Sequence, residues 1–461
     1  MKQRDALNIL KLGYNVFLTG AAGSGKTFLL NKYIKYLRKN DIAVAITAST
    51  GIAATHMNGR TIHSWCGMGI NLKMNKSQIN EIVNKDYIYD NILNTKVLII
   101  DEVSMLHSSQ LDLVDKICKT IKNNDEPFGG IQVILCGDFF QLPPVSKESD
   151  TSEYAFESDI WNNMDLKVCY LTEQYRQNDK DFLGILKKIR ENSVDQDVKN
   201  KLIKRINAKA KSKLHITKLY SHNIDVDRIN HNELKKIKGK EIVYEMHSEG
   251  IRTMVDSLKK SCLAPERLTI KKGAIIMFVK NNFREGYVNG TLGEIIDFDE
   301  DTNYPIVKTI SDDIIHVVPA TWCVEENNKI LAEITQLPIR LAWAITIHKS
   351  QGISLDFAEI DLSKSFLCGM GYVALSRVKS LSGLLLKGIN DMALKVDDDL
   401  LQVDKDLIKR SILDLKAFKA LSKKTLKQKQ NKFIEDNAEP EEEIEVDDDD
   451  NYEVRLEDIP F

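Results

Sequence analysis

The chain has 461 residues, 43% apolar and 28% charged, enough for roughly two to four domains with cores of their own. No run approaches the eighteen or so apolar residues of a membrane span, and Met1–Leu10 lacks the apolar stretch of a secretion signal. The seven cysteines are scattered without a C-x-x-C pair, which points away from a zinc or disulfide framework and toward reduced thiols in a cytoplasm. The net charge of −3 hides an asymmetry. From Glu435 onward fourteen acids face one base, Arg455, so a body of +10 carries a tail of −13. That pattern suits a nucleic-acid-handling protein; a solvated surface with a solubilising tail accounts for the charges equally well.

In chain order, Met1–Gly13 reads as a short helical lead-in carrying Gln3. The next stretch, Val16–Thr27, is an apolar run ending in Gly20, after which Gly20, Gly25, Lys26 and Thr27 fit G-x-x-x-x-G-K-[ST]. Small residues (Ala22, Gly23, Ser24) let backbone N–H groups wrap a triphosphate, and the helix beginning near Phe28 aims its positive end at the same anion. Lys26 is placed for the β- and γ-phosphates and the Thr27 hydroxyl for Mg²⁺, so ATP and Mg²⁺ are the expected cofactors. Strand-like runs recur at Val16–Thr19, Val44–Thr47, Val97–Asp101, Gln132–Gly137 and Lys167–Leu171 with helical patterns between several of them. Such alternation predicts an α/β fold with a parallel sheet covered on both faces.

Lys96–Ser104 delivers Asp101 to the Mg²⁺ shell and sets Glu102 beside it to polarise the attacking water. In Gly137–Val145, Gln141 is placed to sense the γ-phosphate while Pro143 and Pro144 stiffen the exit; an ordinary strand-to-loop turn is the alternative. Arg176 and Arg377 lie far from the phosphate loop in sequence, where a second domain can bring a guanidinium across a cleft to the transferring phosphoryl group. Either one taken alone reads better as a surface or structural arginine.

The order of these motifs resembles a Pif-type (petite-integration-frequency) DNA helicase of superfamily one, subgroup B, related to the RecD-like and Dda helicases. The matching pieces are Gln3, Gly20–Thr27, Thr47–Ala54, Thr61–Trp65, Asp101–Ser104, Gly137–Val145, Leu171–Gln177, Ala344–Gly352 and Tyr372–Val378. The resemblance implies two RecA-like P-loop domains with ATP between them. Gln3 would read adenine, with Tyr175 stacking on it, and Lys26, Thr27, Asp101 and Glu102 would bind and hydrolyse. Gln141, Arg176, Gly352 and Arg377 would couple the γ-phosphate to cleft closure. Single-stranded DNA would cross both domains at Thr47, Ser49, Thr50, Thr61, His63, Trp65, Thr346, His348, Lys349, Ser350 and Gln351. Hydroxyls at strand ends suit phosphates, and rings at His63, Trp65 and His348 suit bases; a core residue anchoring its loop is the other reading of Trp65.

The expected division is a first RecA-like domain over 1–171, with a modest wedge at 66–95, and a second over 172–239 and 337–394. A small β-barrel is inserted at 240–336, where Asn289-Gly290 signals a hairpin and Lys280, Phe283, Arg284 and Tyr287 are candidates for gripping DNA. A basic amphipathic helix over 395–434 and a disordered acidic tail over 435–461 follow. The last residues, Leu456–Phe461, resemble the C-terminal tip of bacterial single-stranded-DNA-binding proteins, implying repair proteins as partners or a tail folded back on the DNA channel. The resulting expectation is a monomeric 5′→3′ helicase on single-stranded and forked DNA, with no membrane partner and the polarity taken from the resemblance alone. Its rivals are a RecD-type ATPase subunit of a nuclease complex and an ATP-gated clamp that does not translocate.

Overall fold

The computed structural model describes residues 1–438 except 70, 145–152, 178, 207, 209–216, 221–225, 283, 310, 327–328, 348–349, 351–352 and 366. Helix α1 (Gln3–Leu10) leads into β1 (Val16–Gly20) and α2 (Lys26–Lys39). Then come β2 (Val44–Ala48), α3 (Gly51–His56), β3 (Arg60–Thr61), α4 (Ile62–Trp65), α5 (Lys76–Val83) and α6 (Asp86–Asn94). Strand β4 (Val97–Asp101), α7 (Ser108–Lys122), β5 (Gln132–Cys136), α8 (Asp159–Asn163) and β6 (Lys167–Leu171) follow. The six strands form one parallel sheet in the order β3-β2-β4-β5-β1-β6. Its central strands are apolar throughout because helices cover both faces. Phe17, Leu98, Ile100, Val133 and Leu135 enter one core, and Val16, Leu18, Val97, Ile99 and Ile134 the other.

Helices α9 (Lys180–Arg190) and α10 (Gln196–Ile203), strand β7 (Thr217–Tyr220) and helix α11 (Val226–Lys236) open the next unit. An all-antiparallel region interrupts it. There β8 (Ile242–Glu245), β9 (His247–Gly250), α12 (Arg252–Ser261), β10 (Arg267–Ile270), β11 (Ile275–Phe278) and β12 (Leu292–Phe298) precede β13 (Pro305–Thr309), β14 (Ile314–His316), β15 (Ala320–Glu326), β16 (Lys329–Gln336) and β17 (Ile339–Leu341). They build sheets ordered β14-β13-β12-β11-β17, β15-β16-β9 and β10-β8. A second parallel sheet, β18-β7-β19-β20, is completed by β18 (Ala344–Thr346), β19 (Ala358–Leu362), α13 (Met370–Leu375) and β20 (Leu384–Ile389).

Two local expectations change. The run Leu341–Ile347 is not one strand. Ile339–Leu341 pairs with β11 and Ala344–Thr346 with β7, so the chain switches sheets at Ala342 and Trp343. Asn289-Gly290 is not a two-residue hairpin but the end of a long β11–β12 loop. There Gly290 has φ +96°, and a Cβ would lie 2.6 Å from the Ser354 carbonyl oxygen, so close approach rather than turn type demands glycine. Segment 66–95 forms α5 and α6, whose Ile79, Ile82, Ile88 and Ile92 enter the main core while Tyr87 and Tyr89 face outward.

The basic C-terminal segment is two helices, α14 (Asp398–Ala420) and α15 (Lys423–Asn437), broken at Leu421. Helix α14 closes the open edge of the first sheet. Asp414 and Ser411, one turn apart, accept the N–H groups of Val168 (2.8 Å) and Tyr170 (3.0 Å), two alternate donors of β6, and Arg410 donates to Leu166 O (2.7 Å). An exposed edge strand is thereby capped by side chains instead of another strand. Helix α15 then lays Phe433 over Gly13, where a Cβ would meet the ring at 2.6 Å. Phe433→Ala should destabilise the first sheet's domain by about 3 kcal/mol, read as a lower urea midpoint for that domain.

Candidate nucleotide site and nucleic-acid interface

Gly25 caps α2 in the left-handed region (φ +83°), and Gly23 (φ +86°) precedes it. Both lie where any Cβ would collide, at 2.2 Å from Gln3 Nε2 and 2.4 Å from Gln174 Oε1 respectively, so the loop's curvature and its packing both demand glycine. The loop is held from outside by its carbonyls. Gln3 Nε2 donates to Ser24 O (3.2 Å) and Gly25 O (3.3 Å), Gln174 Nε2 to Ala22 O (2.9 Å), and Tyr175 N to Gly23 O (2.9 Å). Tyr372 OH, from the second sheet's unit, accepts the Ala22 N–H at 3.2 Å. Lys26 folds its ammonium back onto Gly20 O at 2.9 Å, and the buried Ser24 hydroxyl has no hydrogen-bond partner among the described residues. A lysine resting on carbonyls and an orphaned hydroxyl, in a glycine cradle at a helix N-terminus, fit a polyphosphate.

At the end of β4, Asp101 is buried and its Oδ1 accepts Glu102 N at 2.9 Å. Burial pushes its carboxyl above the usual carboxylate range. Glu102 stands in the left-handed region (φ 52°, ψ 42°), a backbone conformation that a non-glycine residue holds only when its surroundings impose it. Those surroundings are visible: Ser49 Oγ donates to Glu102 O at 2.6 Å, and Ser49 N to Asp101 O at 3.0 Å. Burial first, and then the Asp101 charge, raises the Glu102 carboxyl to about 7, and its Oε2 is buried without a partner among the described residues. Thr27, in the first turn of α2, offers a hydroxyl and Asp101, at the end of β4, a carboxylate, the oxygen donors that Mg²⁺ takes. No cluster of three or more His, Cys, Asp or Glu side chains placed to hold a metal occurs among the described residues.

Two guanidinium groups face this pair. Arg176 Nη1 donates to Ser376 O (3.2 Å); Arg377, 1% exposed, donates from Nε to Val373 O (3.0 Å) and from Nη2 to Ser376 Oγ (3.0 Å). Neither is hydrogen-bonded to a carboxylate among the described residues. Burial and the neighbouring Arg377 charge lower Arg176 to about 9, and burial lowers Arg377. Gln141 is buried, its N–H on Asp138 O at 2.9 Å. Phe28 is 56% exposed with the Lys32 ammonium 4.4 Å over its ring, and Tyr175 is exposed at the loop's rim.

The proposed strand-binding residues divide. Thr47 is buried with its hydroxyl on Ile99 O (2.7 Å), Thr61 caps α4 through Ser64 N (3.3 Å), and His63 is half-buried. Trp65 is a core residue, 1% exposed, sharing the main core with Ile79, Ile82, Ile88 and Ile92 of α5 and α6; it presents no face to a base in this arrangement. Thr346 and Ser350 are also buried, Ser350 donating to Ile347 O at 2.7 Å, whereas Thr50 remains half-exposed. His348, Lys349, Gln351 and Gly352 lie outside the described residues, as does Phe283. Tyr287 stacks on Phe278 (4.1 Å) inside the antiparallel region, Lys280 sits over Trp322, and Arg284 is exposed. Helix α12 packs on α3, and only a cavity of about 10 Å³ remains between Gly51, Ala54, Thr61 and Ser64 and the facing Met254 and Leu258. Sequence reasoning missed Gln174 and Tyr372 on the loop. Both lie inside stretches already singled out for an arginine, so the neighbours of Arg176 and Arg377 were the available signal.

Two family models match: PIF1-like helicase over residues 3–200, and the 2B domain of DNA helicase Pif1 over residues 254–298. The chain is 42% identical to the ATP-dependent DNA helicase Pif1 of a Psychrobacter species, over 94% of this chain and 75% of that one. It is 36% identical to that of Xenopus laevis, over 87% and 63%. Less than two thirds of the Xenopus protein's length is therefore spanned. Bacteroides Pif1 in complex with ADP-AlF4 superposes with a TM-score of 0.76, at 29% identity over 88% of this chain and 96% of that one. The same enzyme with ADP-AlF3 and single-stranded DNA, at equal identity and coverage, scores 0.61.

Because the folded-state Glu102 carboxyl titrates near 7 against about 4.5 in the unfolded chain, folding favours its protonated form. That contribution is complete below about pH 4.5 and lost as pH rises through 7. Glu102→Gln should therefore raise the denaturation midpoint at pH 8 and leave it unchanged near pH 4.5, measured by thermal unfolding at both values.

Proposed function

The chain belongs to the PIF1-like helicase family, and from that premise we propose how its cleft drives an ATP-dependent DNA helicase. The observation that carries the reading is the pair Arg176 and Arg377, set near Glu102 and, among the described residues, hydrogen-bonded to no carboxylate, with Arg377 only 1% exposed. A desolvated cation without an anion is poised for one, and the γ-phosphoryl group in transfer supplies it.

ATP takes the glycine cradle, and Lys26 exchanges Gly20 O for the β- and γ-phosphates. Thr27 and Asp101 would hold Mg²⁺, which would supply positive charge against the phosphoryl oxygens. Glu102, once ionised, takes the proton of the attacking water, and its raised carboxyl makes it a stronger base than an ordinary glutamate. Gln141 orients toward the γ-phosphate while Arg176 and Arg377 stabilise the transition state, which closes the cleft. Opening on product release completes a step along the strand.

Ser49 supports a direct route from strand to chemistry. It belongs to the segment proposed to touch DNA and holds the backbone of both Asp101 and Glu102. Helix α12 packs on α3 beside Thr61 and Ser64, which stay half-exposed, so a strand running over them meets α12 and pushes it aside. The lower resemblance to the strand-bound relative supports such a movement. The enzyme acts as a monomer on single-stranded and forked DNA, moving 5′→3′. Duplexes with a 5′ or a 3′ single-stranded tail test this: the 5′-tailed one should open, the 3′-tailed one should not, and Lys26→Ala should open neither. Opening of the 3′-tailed duplex alone would reverse the polarity.

The acidic tail ending in Ile459-Pro460-Phe461 is proposed to dock on repair proteins with a small apolar pocket ringed by bases. Deleting Ile459–Phe461 should weaken such binding at least tenfold (about 1.4 kcal/mol) in a titration against a single-stranded-DNA-binding-tip receptor, leaving DNA-stimulated ATPase unchanged.

A further inference from the structure

Arg190 ends α9, far from the phosphate loop in sequence, yet it sits where three parts of the chain meet. Its Nη1 donates to both oxygens of Asp138 (2.7 and 2.8 Å) and to Tyr372 OH (3.3 Å). Its Nη2 donates to Tyr170 OH (3.0 Å) and to Asp404 Oδ1 (3.2 Å) on α14. The guanidinium lies 4.1 Å from the Phe140 ring centroid. Asp138 is wholly buried and opens the turn that ends in Gln141, whose N–H it accepts. Tyr372, on the helix that leads into Arg377, accepts the Ala22 N–H of the phosphate loop. A second contact joins the same two parts. Gly369, which caps α13 with φ +79°, leaves room for a Cβ only 2.9 Å from Phe140 O and 3.2 Å from Gln141 O.

We propose that Arg190 is a positioning residue for ATP hydrolysis, locking the Gln141 turn, the Arg377 helix and the C-terminal helix α14 into one unit set against the phosphate loop through Tyr372. Gln141 and Arg377 act on the γ-phosphate from different domains, so their mutual placement has to be held by something spanning both. Arg190 is bonded to Asp138 in one and Tyr372 in the other, and its five donors in a rigid plane suit that role better than a lysine's single point of charge. Asp404 extends the unit to a helix beyond the part of the chain that the resemblance covers. Through it, α14 acts on turnover as well as capping β6. The inference rests on the nucleotide-site reading above and deepens it.

The test compares affinity for ADP alone with affinity for ADP plus aluminium fluoride, a mimic of the transferring phosphoryl group, in the full chain with Mg²⁺. Tyr372→Phe removes one hydroxyl and keeps the ring; Asp404→Asn removes one charge at a partly exposed site. ADP binding reports the cradle, whereas the ratio of the two affinities reports the groups around the γ-position. Tyr372→Phe should lower the ratio about tenfold, the scale of one hydrogen bond, in addition to any loss of ADP affinity from freeing the Ala22 N–H. Asp404→Asn should lower it about threefold, and kcat should fall in step with KM for ATP unchanged. Arg190→Lys should lower it at least as far as Tyr372→Phe, and if that variant fails to fold, the other two decide. A ratio unchanged in both Tyr372→Phe and Asp404→Asn overturns the proposal. Loss of ADP binding in the unsubstituted chain would instead overturn the nucleotide-site reading on which it rests.

Discussion

A guanidinium withdrawn from water needs an anion or several well-placed acceptors, and this molecule is built around how three of them are satisfied. Arg190 has a carboxylate: Asp138 holds its charge and raises it well above an ordinary arginine. Among the described residues Arg176 and Arg377 bond to backbone carbonyls and a serine hydroxyl but to no carboxylate, and desolvation pulls both down. Removing one partner of a buried pair leaves an uncompensated charge that is strongly destabilising. The first arginine is therefore a fastening and the other two are receptors. The same cleft thus contains its own rigid reference and its own demand for phosphate.

Strain follows the same division. Glu102 holds a left-handed backbone and a carboxyl raised toward neutrality, both unfavourable for a folded chain and both useful for a base. They persist because β4 is buried on both faces and because Ser49 fastens the backbone on either side. A parallel sheet with its strand ends gathered at one edge supplies this stiffness, and α14 extends it by capping the donors of β6. The C-terminal helices are thus part of the ATPase frame.

The residues proposed to meet nucleotide were legible as a motif because their chemistry is local. A glycine-rich loop after an apolar strand, an acidic pair ending another, and a helix starting at Lys26 are dictated by bonds within a few residues. The five buried strands of the first sheet were legible for the same reason, since an apolar run flanked by turns has one stable environment. Less legible were positions whose surroundings come from distant segments. Trp65 suits a base stack or a core equally well until α5 and α6 are seen to share its core. Asn289-Gly290 carries a hairpin signature, but its glycine answers to Ser354. Leu341–Ile347 is apolar throughout and conceals a change of sheet.

By itself the sequence determined the phosphate cradle, the acidic pair, the parallel first sheet and the charged tail, because each depends on periodicity, backbone freedom or composition along a short stretch. Only the tertiary structure decided that Tyr372 and Gln174 hold the cradle from outside, that Arg190 binds two domains and α14 together, and that α12 packs on α3 beside Thr61 and Ser64. Those contacts join residues separated by as many as 350 positions. No local pattern encodes such a pairing, because what selects it is the free energy of burying a polar group beside its one available partner.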